Sequence, residues 1–500
     1  MSPPLRRISP FVDVDFALRR QFNKTSFRYI IVAALEGYDV VVQAATGFGK
    51  SLCFQLPAVI NSGGEMGTAG PLTQANHCWQ INQVEALHAA RIDARTLNGC
   101  TPPADKADIY RDLGSAHPRT RLLYVTPELC SSSRFRRHMQ LVHRQCELAR
   151  VVIDEAHCIS EWGHDFRRDF AQLGWFRASF PNVPIMCLTA TANEPVLRDI
   201  LDTVRLARRD APQGPRLKMF RLSPFRPNLH LAVRFLASND DGDQHRFADF
   251  ATWYKDAQKN ELARHQRRKR GRLLVRAAST AREPPATVVV SGIIYTLSRN
   301  ECELLATALQ SEGIGARPFH AQLSRDAKEE TMARWLSDDP DWAVIVATTA
   351  FGMGVDKLTV RFVVHWRLSK SFEGYCQEIG RAGRDGLPAS CILYYSRGDG
   401  ERISSFVARS NTRAMASKHH AARRASLKRL VEYCEDTDGC RHAAVCAYFG
   451  FAHGAACRYA CDWHTDAKAL KAQKRKQLGE EAWASGAVFS QVDECDDIDG

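Results

Sequence analysis

Ala44–Ser51 reads AATGFGKS directly after the apolar run Val40-Val41-Val42, and about a hundred residues later Val151–His157 reads VVIDEAH. A small residue, four spacers and Gly-Lys-Ser, set between a strand and a helix that opens at Leu52, form a phosphate loop. Backbone N–H groups of the turn through Ala44, Ala45, Thr46, Gly47, Phe48 and Gly49 converge on β- and γ-phosphates. Lys50 adds a positive charge and the Ser51 hydroxyl reaches Mg²⁺. In the second stretch Asp154 supplies an acid for the metal, and Glu155 orients an attacking water.

Outward from these two stretches, short apolar runs alternate with helical patterns. Asp39–Val42, Arg121–Val125, Val151–Ile153 and Ile185–Leu188 are runs of this kind, each closed by a polar motif. They suit a parallel sheet buried on both faces, with its site at the strand C-termini. A second block carries TVVVSGIIYTL from Thr287, VIVATTA at Val344–Ala350, FVVHW at Phe362–Trp366 and CILYYS at Cys391–Ser396. The expected fold class is therefore α/β, with two tandem doubly wound parallel-sheet domains followed by a short helical module. Boundaries are expected at 15–225, 226–398 with a basic insertion at about 237–286, and 399–464. Residues 465–500 read as a tail, basic at Lys468–Lys476, acidic at Asp493–Asp499 and largely disordered.

The chain has 500 residues, of which 45% are hydrophobic and 25% charged, as in an ordinary soluble protein. Its net charge of +12 suits a polyanionic partner or a generically basic surface. Arg264–Arg276 holds seven basic residues in thirteen positions, readable as a nucleic-acid contact, a nuclear import signal or a solvated face. No apolar run is long enough to span a membrane, and the N-terminus lacks the apolar core of a secretory signal. Sixteen cysteines scattered through apparent core elements suit reduced thiols of the cytosol or nucleus.

Further motifs follow in order: Thr189-Ala190-Thr191-Ala192 after IMCL, TTAFGMGVD at Thr348–Asp356 and QEIGRAGR at Gln377–Arg384. Together they resemble superfamily-two helicases. DEAHCISEWGHDFR at Asp154–Arg167, FRPNL at Phe225–Leu229 and SGIIYTLSRNECE at Ser291–Glu303 narrow the resemblance to the RecQ family, from about Phe22 to His464. It implies two RecA-like lobes and an ATP-dependent helicase moving 3′ to 5′ on DNA in recombination and repair, acting on single strands and on duplexes with a 3′ tail. ATP and Mg²⁺ are its implied cofactors, and the nucleus its implied compartment if the cell is eukaryotic, otherwise the cytoplasm. On this resemblance His157 couples hydrolysis to DNA, and Gln377, Arg381 and Arg384 come from the second lobe, with Arg384 or Arg381 as the arginine finger. Trp162 and Phe166 would stack bases, while His164 and Arg167 would add polar and cationic contacts. An RNA helicase and a silent DNA-binding or scaffold protein are the rival readings, and protein partners are not legible.

Cys440, Cys457, Cys461 and His464 are separated by sixteen, three and two residues, a spacing that matches a structural tetrahedral Zn²⁺ site. The resembled family carries a zinc module here, usually with Cys as last ligand. Cys434 and Cys446 are competing thiols.

The chain departs from that family in three places. NSGGEMGTAGPLTQANHCWQI at Asn61–Ile81 replaces a buried strand and a DNA-contacting Ser-Pro-Leu turn, and its low strand propensity predicts that an interior strand is missing. After Phe27-Arg28 no Gln follows to read adenine, and Gln21 and Gln43 are poor substitutes by position, so ATP selectivity is expected to be looser than phosphate binding. The chain also ends soon after the cysteine cluster, where relatives place a winged helix, so weaker recognition of branched or quadruplex DNA is expected.

Overall fold

The computed structural model describes residues 27–60, 68–73, 77–160, 167–206, 216–237, 242–273, 289–352, 357–409, 417–452, 457 and 460–479. Two compact units meet in the sequence between Pro224 and Phe225, and the returning segment Cys446–Phe451 belongs to the first.

In the first unit β1 (Asp39–Gln43), β2 (Thr68–Thr73), β3 (Ala94–Leu97), β4 (Leu122–Val125), β5 (Leu148–Ile153), β6 (Ile185–Thr189) and β7 (Leu217–Arg221) form one parallel sheet. Its order is β3-β4-β2-β5-β6-β1-β7. The strands are apolar runs because both faces are covered. Val41, Val151, Ile153 and Cys187 enter one core cluster, and their neighbours Val40, Val42, Val152, Met186 and Leu188 enter the other. A buried ion pair ties two strands to a helix. Asp39 accepts from Arg177 at 2.6 Å and from the Ile185 amide at 2.7 Å.

The interior slot expected to be empty is filled. Thr68–Thr73, TAGPLT, runs parallel between β4 and β5. Pairing with β5 is irregular, with register shifts between Thr68 and Ala69 and between Ala69 and Leu72, so Gly70 and Pro71 have no partner on that side. Proline and glycine are tolerated where a ladder is interrupted, and flanking strands override weak propensity.

In the second unit β8 (Leu229–Phe235), β9 (Gly292–Tyr295), β10 (Ala316–Phe319), β11 (Val344–Ala347), β12 (Phe362–His365) and β13 (Ala389–Tyr395) form a parallel sheet ordered β10-β11-β9-β12-β13-β8. Gly292 is required by close approach, since a Cβ there would lie 2.1 Å from the Phe362 ring. The edge strand β8 alternates buried and half-buried positions. The polar insertion contains a 32-residue helix, Gly242–Leu273, whose first half packs Phe250, Ala251 and Tyr254 into the core.

The expected tail also differs. A helix spans Asp462–Leu478, kinked at Asp466. Leu470 is buried, Lys474 reaches the Glu435 carboxylate at 3.3 Å, and Arg397 donates to the Leu478 carbonyl at 3.0 Å. The basic charge of Lys468–Lys476 thus meets Glu435, at the end of a preceding helix Ser417–Glu435, and Asp438 just beyond it, which composition alone did not reveal. Residues 480–500 lie outside the described residues.

Candidate nucleotide site and metal centre

β1, β6 and β5 are neighbours in one parallel sheet, so their carboxyl ends lie side by side. Ala44 leaves β1 with its amide on the Thr189 carbonyl at 3.0 Å. The loop then turns through Gly47 and Gly49, both at a left-handed φ of 87°, which a Cβ would strain. Lys50 folds back over this turn and donates to the Ala44 and Ala45 carbonyls at 2.9 and 3.4 Å. The helix Leu52–Ile60 follows at once. A hollow of backbone amides closed by one cation is an anion cradle.

Asp154 and Glu155 emerge from the adjoining β5. Glu155 takes a left-handed φ of 50°, and its amide donates to the Asp154 carboxylate at 2.9 Å. Burial pushes the Cys53 thiol up to about 12, while Lys50 pulls it down and Asp154 pushes it up. His157, fully buried in the turn Ala156–Ile159, lies 3.4 Å from the Glu155 carboxylate and 3.3 Å from the Thr189 hydroxyl. That hydroxyl in turn accepts from the Thr191 amide at 3.2 Å. His157 Nδ1 therefore stands between the acid after β5 and the Thr189-Ala190-Thr191-Ala192 turn after β6, hydrogen-bonded to the turn and within ion-pair distance of the acid.

Trp162, His164 and Phe166 lie outside the described residues; the feet of their loop do not. Ser160 donates to Asp199 at 2.6 Å, and the Arg167 amide donates to the Cys158 carbonyl at 3.1 Å, which pins both ends. Gln21 also lies outside the described residues. Gln43 is occupied structurally, donating to the Ala192 carbonyl at 2.6 Å and accepting from Arg221 at 2.9 Å.

In the second unit Gln377 sits on the helix Phe372–Ile379, and Arg381 and Arg384 follow it. Arg381 is buried beside Tyr295. The loop carrying both arginines is held from FRPNL, a function that the motif did not announce. Arg226 donates to the Ala382 and Gly383 carbonyls at 3.0 and 2.6 Å, and Asn228 to the Gly383 and Leu387 carbonyls at 2.9 Å each. Gly383 has a φ of 55°, and a Cβ there would lie 2.5 Å from the Asn228 amide nitrogen.

Cys440, Cys457, Cys461 and His464 converge, their donor atoms all within 4.8 Å of one another. A Zn–S bond of about 2.3 Å gives tetrahedral S···S edges of about 3.8 Å; the Sγ atoms of Cys457 and Cys461 are 3.7 Å apart and those of Cys461 and Cys440 are 4.0 Å apart. His464 Nδ1 lies 3.2 Å from Cys461 Sγ. Burial and the neighbouring thiols push Cys457 upward, a penalty that a divalent cation reverses. The donor set thus fits zinc. Cys434 and Cys446 are excluded from the group: Cys434 is buried elsewhere on its helix, and Cys446 lies 3.7 Å from the Ser223 hydroxyl.

The residues that assemble this centre escaped the sequence reading. Arg441, beside Cys440, is buried against Asp462, beside Cys461, at 2.9 Å. Asp462 also accepts from the Val233 amide of β8 at 2.9 Å, and His442 bridges the Leu229 and Ala460 carbonyls at 3.0 and 3.1 Å. Their only signal was position, each next to a ligand or one step beyond.

Comparison with known proteins accords with this geometry. Residues 28–200 match the DEAD/DEAH box helicase pattern, 285–386 the helicase conserved C-terminal domain and 397–465 the RecQ zinc-binding domain. The RecQ-like DNA helicase BLM of Xenopus laevis is 38% identical over 84% of this chain, and the ATP-dependent DNA helicase Q5 of Rattus norvegicus 35% identical over 90%. The ATP-dependent DNA helicase hus2/rqh1 of Schizosaccharomyces pombe is 36% identical over 89%. The chain belongs to the RecQ family. It spans 27%, 43% and 30% of those three relatives. Among solved structures, the helicase MrfA bound to DNA and AMPPNP shares the fold at a TM-score of 0.58 and 17% identity, over 80% of this chain and 52% of its own. The DEAD-box helicase Mss116 bound to single-stranded RNA shares it at 0.53 and 13%, over 84% of each chain. The RecQ zinc-binding match falls on the segment that holds Cys440, Cys457, Cys461 and His464. Among the described residues no helix is long and apolar enough to cross a membrane.

Proposed function

We propose that this RecQ chain is an ATP-driven DNA helicase that moves 3′ to 5′ along a single strand and separates the duplex ahead of it, in recombination and repair. One observation carries the reading. A single sheet end collects Lys50, Asp154, Glu155 and His157, in a chain that also matches the RecQ zinc-binding domain.

On this reading the amides from Ala44 to Gly49 and the Lys50 ammonium bind the β- and γ-phosphates. Ser51 and Asp154 would hold Mg²⁺, which would neutralise charge developing on the transferring phosphoryl. Glu155 positions the attacking water. His157 then carries the state of that carboxylate to Thr189, so that hydrolysis is felt at the Thr-Ala-Thr-Ala turn. Arg384 or Arg381 of the second lobe supplies cationic charge to the transferring phosphoryl, with Gln377 beside them, worth roughly 10³ to 10⁵ in rate. Trp162 and Phe166 stack on bases, and His164 and Arg167 contact the strand. Zinc on Cys440, Cys457, Cys461 and His464 is structural, because four protein ligands leave no open position. We assign 15–225 and 226–398 as the two lobes and 399–464 as the zinc module, acting in the nucleus of a eukaryotic cell.

The test is strand displacement on a 3′-tailed DNA duplex with and without ATP. Unwinding only with ATP, lost in Lys50→Ala, is expected. A parent protein whose ATP turnover equals that of Lys50→Ala in the presence of DNA would overturn the enzyme reading. Stronger stimulation by single-stranded RNA than DNA would overturn the choice of nucleic acid.

A further inference from the structure

The helix Gly242–Leu273 is about 48 Å long at 1.5 Å per residue, and among its described side chains the buried ones all lie in its first half. Tyr254 is buried and donates to the Val290 carbonyl at 3.4 Å, and Lys255 pairs with Glu312 at 2.8 Å. From Lys259 onward none of the side chains described as far as Gln266 is buried. Nineteen residues after Tyr254, roughly 28 Å of helix, thus continue past the last position described as buried.

Charge changes along the same stretch. Lys259 and Arg264 pair within the helix with Asp256 and Glu261, at 3.4 and 3.3 Å. No Asp or Glu then occurs until Glu283, whereas Arg267, Arg268, Lys269, Arg270 and Arg272 follow in quick succession. Lys255–Arg276 contains nine basic and two acidic residues, a surplus of seven against a whole-chain net of +12. Like charges three and four positions apart each cost a helix about 0.2–0.5 kcal/mol, and Gly271 adds about 1 kcal/mol. Such an extension gains from a polyanion that neutralises it. The helicase patterns at 28–200 and 285–386 both leave it out.

We propose that this extension is a duplex-DNA arm, which lies in a groove and contacts phosphates separately from the helicase track. Steps of 100° per residue put positions 267, 268, 269 and 270 on four sides of the helix axis. A major groove about 12 Å wide admits one helix and presents phosphates on both walls, which suits charge on all sides better than one exposed single strand does. The inference rests on the helicase reading only for the identity of the polyanion.

The experiment uses the full chain and a variant combining Arg267→Gln, Arg268→Gln, Lys269→Gln, Arg270→Gln and Arg272→Gln. Binding to a short blunt labelled duplex is followed by anisotropy between about 50 and 200 mM salt; each lost phosphate contact lowers the log–log slope by about 0.9. The expected result is a slope shallower by about 2–4, with affinity reduced about 10- to 100-fold near 100 mM salt. The thermal midpoint and the turnover at saturating single-stranded DNA stay at parent values. An unchanged slope overturns the arm, and unchanged slope with lost nuclear accumulation assigns the segment to import instead. Absence of DNA-stimulated turnover in the parent would sink the helicase reading and leave the slope measurement intact.

Discussion

Lys50, Asp154, Glu155 and Thr189 each stand in or just after a strand of one parallel sheet, so sheet order alone makes neighbours of residues more than a hundred positions apart. Cys440, Cys457, Cys461 and His464 lie within 25 residues of chain, but no shared strand end gathers them. They meet because Arg441 pairs with Asp462, and because Asp462 and His442 fasten the segment to the edge strand β8. The first site follows from sheet order, which needs no ligand contact, whereas the second would put its binding energy into holding its surroundings. Loss of a side chain should therefore damage chemistry in one and stability in the other.

The strongest test of that contrast is Cys457→Ser. Structural zinc contributes roughly 10–16 kcal/mol in small modules, so zinc measured on the purified variant should fall to background and the thermal midpoint should drop steeply. An unchanged midpoint would show that the cluster is not structural. Next comes Asp462→Ala, which strands buried Arg441 and should cost about 3–5 kcal/mol in denaturant unfolding. If the loss stays below about 1 kcal/mol, the bonds of His442 and not those of Asp462 assemble the ligands.

For the nucleotide site, Lys50→Ala should lower DNA-stimulated ATP turnover by about 10²–10³-fold, as for loss of one charge-stabilising donor, with the thermal midpoint unmoved. A large fall in the midpoint would make the loop structural and erase the contrast. The smallest effect concerns the base. Gln43 is committed to Ala192 and Arg221, so kcat/KM for ATP and GTP should differ by less than about tenfold, or 1.4 kcal/mol. Discrimination well beyond that would place an adenine reader elsewhere in the chain.

Much of this was legible in the residues. Val-rich runs ending in polar words marked eight of the strands, and AATGFGKS and VVIDEAH marked the nucleotide site, because burial on both faces and glycine-dependent turns leave local signatures. β8 carried an alternation that could have been read as well. Thr68–Thr73 was not legible, since TAGPLT has the propensities of a loop and becomes a strand only between β4 and β5. The helix Asp462–Leu478 was hidden for a similar reason, its basic surface being matched by Glu435 and Asp438.

By itself the sequence determined the two parallel-sheet lobes, the phosphate loop with its acids and a short set of candidate cysteine and histidine donors. These depend on side-chain type and spacing, which are properties of the chain. Only the tertiary structure decided that the slot between β4 and β5 is filled, that Arg226 and Asn228 hold the arginine loop, that Cys434 and Cys446 stay out of the metal centre and that the long basic helix buries none of its described side chains after Tyr254. Those outcomes depend on which groups become neighbours when distant segments pack, and pairing energies between such groups leave no mark on local composition.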